Sequence, residues 1–268
     1  MKDKVQNTTG PHHTMDMMLG AAYEKDIQLN EMLETLADQR SFNEVSQAFP
    51  AYTRRILLTR FLAYYELFKL VKDMPGWIAE CGVYRGFSFF ALGNFLEIFC
   101  MGDKTRKLLG FENFEGFTPL TAEDGEEDRS VTRHEGGTNP ANFRDDFYKL
   151  LGIANADCFA PWTDRMTLVE GDARLTIPQY CKDNPGLRLS LLHIDIDVYE
   201  PVSVALTHLY PLLLPGGVVV LDEYAHKDWP GESAALKDVF QANGWKTPKL
   251  RSLPWVGTPT TYFVKEEF

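Results

Sequence analysis

The sequence predicts an α/β protein: a Rossmann-like, doubly wound, mostly parallel seven-stranded sheet with helices on both faces and an N-terminal helical extension. Three observations lead there. Short apolar runs alternate with segments of helical periodicity from about residue 51 onward. Glycine or an acidic residue closes these runs at their C-terminal ends, where open α/β sheets bind ligands. The 268 residues, 44% hydrophobic and 13% aromatic, suffice for one large domain with an appended element.

The elements follow in order. Residues 1–50 are polar to mixed, with helical spacing in IQLNEMLETLADQ, and form an arm or extension; residues 51–268 form the main domain. AYTRRILLTRFLAYYELFKLVKD is an amphipathic helix stopped by MPG. GWIAECGVYRGFSFFALGNFLEIF then reads as strand, glycine turn and helix, and KLLGFENFEGF as a second strand with an acidic end. Residues 118–147 are polar and long for a loop in a compact domain, the pattern of a substrate-side loop or of a surface insertion. MTLVEGDARLTIPQYC is a third strand, turn and helix. LRLSLLHIDIDVYEP is a fourth strand with an acidic end, followed by the helix VSVALTHLYPLLL. VVVLDEYAHKDWPGE is a fifth strand and loop, SAALKDVFQANG a helix, and PWVGTPTTYFVK a terminal strand or hairpin.

Composition narrows the partners. A formal net charge of −11 and a pI near 5.0 argue against nucleic acid or an anionic membrane bound through a broad basic face. The longest apolar runs are interrupted by Pro and Gly and are too short to span a bilayer. The N-terminus has no apolar signal region, and its GPHHT suits a flexible arm or an oligomer contact better than a metal site. Cys81, Cys100, Cys158 and Cys181 form no CxxC pair and read as reduced thiols, so a cytoplasmic location is expected.

The chemistry-bearing residues fall at the strand ends. In Glu80-Cys-Gly82-Val-Tyr-Arg-Gly86, Gly82 allows close approach of a ligand and Gly86 tight helix–strand packing. Glu80 repels a pyrophosphate and suits a ligand bearing a cation or an α-amino group. The turn departs from G-x-G-x-x-G, which disfavours a nicotinamide cofactor. An E-x-G-x-x-x-G turn in this context resembles the S-adenosylmethionine (SAM) site of class I methyltransferases. Glu112, closing the second strand, is placed to accept both hydroxyls of a ribose. Asp172 is placed to accept from an adenine amino group, with Gly171 and Ala173 leaving room. Asp195 and Asp197 end the fourth strand, and Asp222-Glu223 the fifth. Carboxylates on adjacent strands about 5 Å apart can converge on one hard divalent ion, with Mg²⁺ expected and Mn²⁺ or Ca²⁺ as substitutes. Such an ion would lower the pKa of a sugar or catechol hydroxyl, and a neighbouring carboxylate or His226 would take the proton. His193 reads as a core residue.

Together ECGVYRGFS, ENFEGF, DIDVYEP, LPGG and DEY resemble the macrocin O-methyltransferase (TylF-type) family over roughly residues 50–265. DEYAHKDWPGE is similar to members acting at the sugar-nucleotide level. The resemblance implies SAM contacts at Glu80, Gly82, Val83, Tyr84, Gly86 and Ser88, at Glu112 and Asn113, and at Gly171, Asp172 and Ala173. It implies Mg²⁺ on Asp195, Asp222 and Glu223, with Asp195 also the candidate base. Glu112 and Glu223 depart from the Asp more common at these positions, each lengthening the reach by one methylene. Family members are often homo-oligomers, which suits the arm. The activity implied is methylation of a deoxysugar hydroxyl on a nucleotide sugar or glycosylated product. Arg129, Arg133 and His134 in the long loop could meet a diphosphate, although a solvated loop face accounts for them better. A phenolic or catechol acceptor is the enzymatic alternative, and a non-catalytic assembly partner with the same fold the non-enzymatic one.

Overall fold

The structure, a computed structural model, describes residues 25, 27–129, 132–160 and 162–266. GPHHT and most of the arm's first half lie outside the described residues. The remainder divides into two compact units, one ending at Leu58 and one running from Thr59. In the first, Ser41 caps the helix Phe42–Gln47 through a reciprocal capping box with Glu44.

The second unit is built on a sheet of β1 (Trp77–Cys81), β2 (Leu108–Glu112), β3 (Met166–Glu170), β4 (Leu189–Ile194), β5 (Leu213–Leu221) and β6 (Thr261–Val264). The strand order is β3-β2-β1-β4-β5-β6, with β1 to β5 parallel and β6 antiparallel to β5. This corrects the expected count: six strands form among the described residues, not seven. Near the terminal strand, PKLRS adds only an isolated bridge between Arg251 and Tyr262. Pro248 and Pro254 flank it, and proline cannot donate to a ladder.

Period-two alternation sorts the strand residues onto two cores. Val219 and Leu221 of β5, with Ala79 and Cys81 of β1, pack on helices Ala173–Asp183, Tyr199–Leu209 and Pro230–Ala242. Val218, Val220, Ile78 and Leu191 face helices Arg55–Lys69, Phe87–Cys100 and Arg144–Ala156. β4 is buried throughout, as a central parallel strand covered on both faces must be.

The strand order reverses between β1 and β4, so a crevice opens beyond their carboxyl ends. The segment 118–147 is more structured than a long loop. It holds short 3₁₀ turns at Ala122–Asp124 and Ala141–Phe143, and helix Arg144–Ala156 begins within it. Buried Asp124 pins it, accepting from the backbone N–H of Tyr199 at 2.7 Å and of Thr121 at 2.8 Å. No helix among the described residues is long and apolar enough to cross a membrane, and all four cysteines are free.

Candidate active site

A cavity of about 310 Å³ fills the crevice, within the range of roughly 300–1,000 Å³ for small-molecule sites. Its walls include Gly82, Val83, Tyr84 and Ser88 after β1, Glu112 and Asn113 after β2, and Gly171 and Ala173 after β3. Asp195, Asp197, Asp222 and Glu223 after β4 and β5 complete it. Eleven of the candidate site residues read from the sequence are among them.

Local backbone shape explains the glycine turn. Gly82 has φ +83°, and a Cβ there would stand 1.8 Å from the backbone oxygen of Asp195. Only glycine lets the ends of β1 and β4 approach this closely. Gly86, at φ +87°, caps helix Phe87–Cys100 and lies outside the lining. Glu112 is held by the loops it joins. Its Oε2 accepts from the N–H groups of Val83 (2.9 Å) and Tyr84 (2.7 Å), and its Oε1 from that of Phe114 (2.8 Å). Asn113 closes its own turn, donating to the Gly116 carbonyl and accepting from Glu115 N–H.

Two of the predicted acids point elsewhere. Glu80 is fully buried beneath the cavity floor, where Ser88 Oγ donates to it at 2.5 Å. The Asp172 carboxylate caps helix Ala173–Asp183 and grips Arg174 (2.7 Å). Burial alone would raise its pKa, but the Arg174 hydrogen bonds outweigh that and lower it.

At the other end of the cavity, carboxylates crowd together. Helix Arg55–Lys69 sets Arg60 and Tyr64, four residues apart, on one face above them. Arg60 Nη2 lies 3.1 Å from Asp195 Oδ2 and 3.5 Å from Asp222 Oδ2. The Tyr64 hydroxyl donates to Asp222 Oδ1 at 3.4 Å. His193 is paired with Glu80 on the neighbouring strand, and its ring nitrogens stand 3.5 Å from Glu80 and 3.6 Å from Asp222. These are ion-pair separations, too long for good hydrogen bonds. Burial opposes a charge on the imidazole, but the two carboxylates prevail and push its pKa up to about 10.

Burial, reinforced by the charge of Asp222, pushes Asp195 up to about 8 and Glu223 to about 7. Asp195 keeps 22% of its side chain exposed, so water softens the rise without reversing it. Asp197 is raised well above the carboxylate range by burial and by Asp195; its backbone is left-handed (φ +63°) and its Oδ1 has no hydrogen-bond partner. Glu232, in the first turn of helix Pro230–Ala242, is fully buried with neither carboxylate oxygen hydrogen-bonded. Burial, then Asp222, drives its pKa well up.

This donor set suits a hard cation. Ligand atoms of His193, Asp195 and Asp222 lie within 4.8 Å of one another, and oxygens of Asp197 and Glu232 lack partners beside them. His193 thus belongs to the core and to the cluster at once. His226 is half-exposed, 3.8 Å from Glu223, and does not line the cavity. Arg133 is engaged by the carbonyls of Glu126 and Asp228, and His134 by that of Glu135. Neither they nor Arg129 reach the lining, where Arg60 is the sole cationic side chain among the described residues.

Sequence reasoning missed Arg60, Tyr64, Glu232 and Asp124. The first two had a readable signal: polar residues at i and i+4 on an otherwise apolar helix face.

Comparison with known proteins agrees with this geometry. Residues 60–260 match the model of the family described as Macrocin-O-methyltransferase (TylF). Over 160 residues the chain is 31% identical to 8-demethyl-8-(2,3-dimethoxy-alpha-L-rhamnosyl)-tetracenomycin-C 4'-O-methyltransferase of Streptomyces olivaceus, covering 58% of this chain and 56% of that one. It is 28% identical to mycinamicin III 3''-O-methyltransferase of Micromonospora griseorubida, over 56% of each. The chain thus spans a little over half the length of these curated relatives. Among solved structures, the calicheamicin methyltransferase CalS11 superposes with a TM-score of 0.79 at 26% identity, over 98% of both chains. An apo structure described as CalS11, TDP-rhamnose 3'-O-methyltransferase, gives 0.73 at 27% identity, over 90% of this chain and 94% of that one.

Proposed function

Because this chain belongs to the macrocin-O-methyltransferase (TylF) family, we propose that it is a SAM-dependent O-methyltransferase. It methylates a hydroxyl of a deoxysugar, carried on a nucleotide sugar or a glycosylated natural product, with Mg²⁺ at the acidic end of its cavity. The observation that carries the reading is the division of one cavity into two ends. One has an anchored ribose-type carboxylate, and the other has clustered carboxylates short of cations. The rhamnosyl and TDP-rhamnose acceptors in the names of two relatives support the sugar.

The donor lies along Gly82–Tyr84, Glu112 and Gly171–Ala173. Glu112 Oε1 accepts one backbone N–H and retains a lone pair toward a ribose hydroxyl. Glu80 acts from below, through Ser88, fixing the start of the helix that follows the glycine turn. Gly171 and Ala173, rather than the Asp172 carboxylate, form the wall at the adenine end.

Asp195, Asp222 and Glu223 would hold Mg²⁺, and the orphaned oxygens of Asp197 and Glu232 fit a site that takes positive charge. When bound, the ion supplies Lewis acidity that eases deprotonation of the acceptor hydroxyl. Asp195 lines the cavity and takes that proton. Glu223, with His226 beside it at 3.8 Å, carries protons to solvent. The aromatic walls of Phe87, Phe111 and Phe117 also suit a phenolic acceptor.

Labelled SAM incubated with the full chain and a panel of nucleotide sugars, glycosides and phenols tests the proposal. Label should reach a deoxysugar, stop with EDTA and return with Mg²⁺. Transfer to phenols alone would replace the acceptor, and transfer undiminished by EDTA would remove the metal.

A further inference from the structure

Arg60 sits where the proposed ion must act. A single nitrogen, Nη2, lies 3.1 Å from Asp195 Oδ2 and 3.5 Å from Asp222 Oδ2. Those two side chains come from the ends of adjacent strands, 27 positions apart in sequence, and the guanidinium bridges them. A divalent ion drawing on the same two carboxylates would stand beside that guanidinium, and like charges so close repel. The arginine also has somewhere to go. It is 28% exposed, lines the cavity, and its guanidinium carbon is 5.6 Å from the ring centroid of Phe87, another cavity-wall residue.

We propose that Arg60 and a divalent cation are alternative occupants of the Asp195–Asp222 pair, so that the chain carries its own exchangeable counter-ion. The inference rests on the metal reading above. Arg60 keeps two crowded carboxylates compatible with folding, and the ion binds by displacing the guanidinium toward Phe87. The arginine therefore weakens metal binding while stabilising the ion-free protein. This role differs from that of a ligand or a base.

The test is Mn²⁺ binding to the full chain, by calorimetry and by the paramagnetic signal of free Mn²⁺. Wild type would be compared with Arg60→Met, Arg60→Lys and Asp195→Asn. Arg60→Met should bind Mn²⁺ at least about tenfold more tightly than wild type, from removal of one like charge a few ångström away. Arg60→Lys, which keeps the charge on a strongly hydrated ammonium carried by a more flexible stem, should fall between them. Asp195→Asn should bind far more weakly. Mn²⁺ should also raise the melting temperature of Arg60→Met more than that of wild type. If wild type binds Mn²⁺ and neither Arg60 variant binds it more tightly, the exchange is wrong and the metal site stands. The Lys variant decides this if the Met variant does not fold. If no form binds Mn²⁺, the metal reading falls and takes the exchange with it.

Discussion

The two ends of the cavity treat carboxylates in opposite ways. Beyond β1–β3 the acids take most of their partners from the chain, although Glu80 Oε2 is left without a hydrogen bond. Glu112 accepts three backbone N–H groups, Asp172 holds Arg174, and Glu80 takes the Ser88 hydroxyl. Beyond β4 and β5, Asp195, Asp197, Asp222, Glu223 and Glu232 gather around Arg60 and His193, with several oxygens unpartnered. An acid with its partners built in is a preorganised acceptor, which loses little when a neutral hydroxyl docks. Acids left crowded bind protons or cations instead, as the raised pKa values of Asp195 and Glu223 indicate. On the proposed reading, one end would be a mould for a nucleoside and the other a trap for positive charge.

The seam between the ends is Gly82, so its substitution should have the largest effect. Gly82→Ala forces a Cβ onto the Asp195 carbonyl at a left-handed φ, costing roughly 3 kcal/mol or more. Chemical denaturation should register the loss, and nucleoside and metal affinity should fall together. Loss of only one would mean the ends are not joined here. Glu112→Ala is next: S-adenosylhomocysteine binding should weaken by about 1–3 kcal/mol with Mg²⁺ affinity little changed, as calorimetry can read. Equal loss of both would erase the contrast.

The third effect is on pH dependence. Asp195 rises from 3.8 to about 8 and Glu223 from 4.5 to about 7, so the folded chain retains protons that the unfolded chain releases. Their contribution to stability is complete below about pH 4 and is lost as pH climbs through 7 to 8. His193, raised to about 10, has the same sign. Without divalent ions the melting temperature should fall between pH 5 and 8, and saturating Mg²⁺ should flatten that fall. A melting temperature that rises over this interval without the ion would contradict the crowded-carboxylate account.

Much of this was legible in the sequence because the fold places function at strand ends, and strand ends are marked locally. ECGVYRG, LLGFE, VEGDA, HIDID and VVVLDEY each pair an apolar run with its terminal acid, and all five runs became parallel strands. What escaped notice depends on contacts distant in sequence. Arg60 meets Asp195 from 135 positions away, so its i, i+4 spacing with Tyr64 marks it as unusual without naming its partner. Glu232 looks like an ordinary first-turn acid at a helix start, and only tertiary packing removes it from water. Asp172 was read by position alone, whereas the adjacent Arg174 and the helix N-terminus claim its side chain. The expected seventh strand does not form among the described residues, where the stretch between Pro248 and Pro254 makes only the bridge of Arg251 to Tyr262.

The most direct test of the division is a paired calorimetric titration of Mg²⁺ and of S-adenosylhomocysteine into wild type and Asp195→Ala. The account predicts that Asp195→Ala abolishes measurable Mg²⁺ binding while S-adenosylhomocysteine binds within about threefold of wild type, a difference below 1 kcal/mol. Mg²⁺ binding that survives the substitution, or nucleoside binding that disappears with it, would contradict the account.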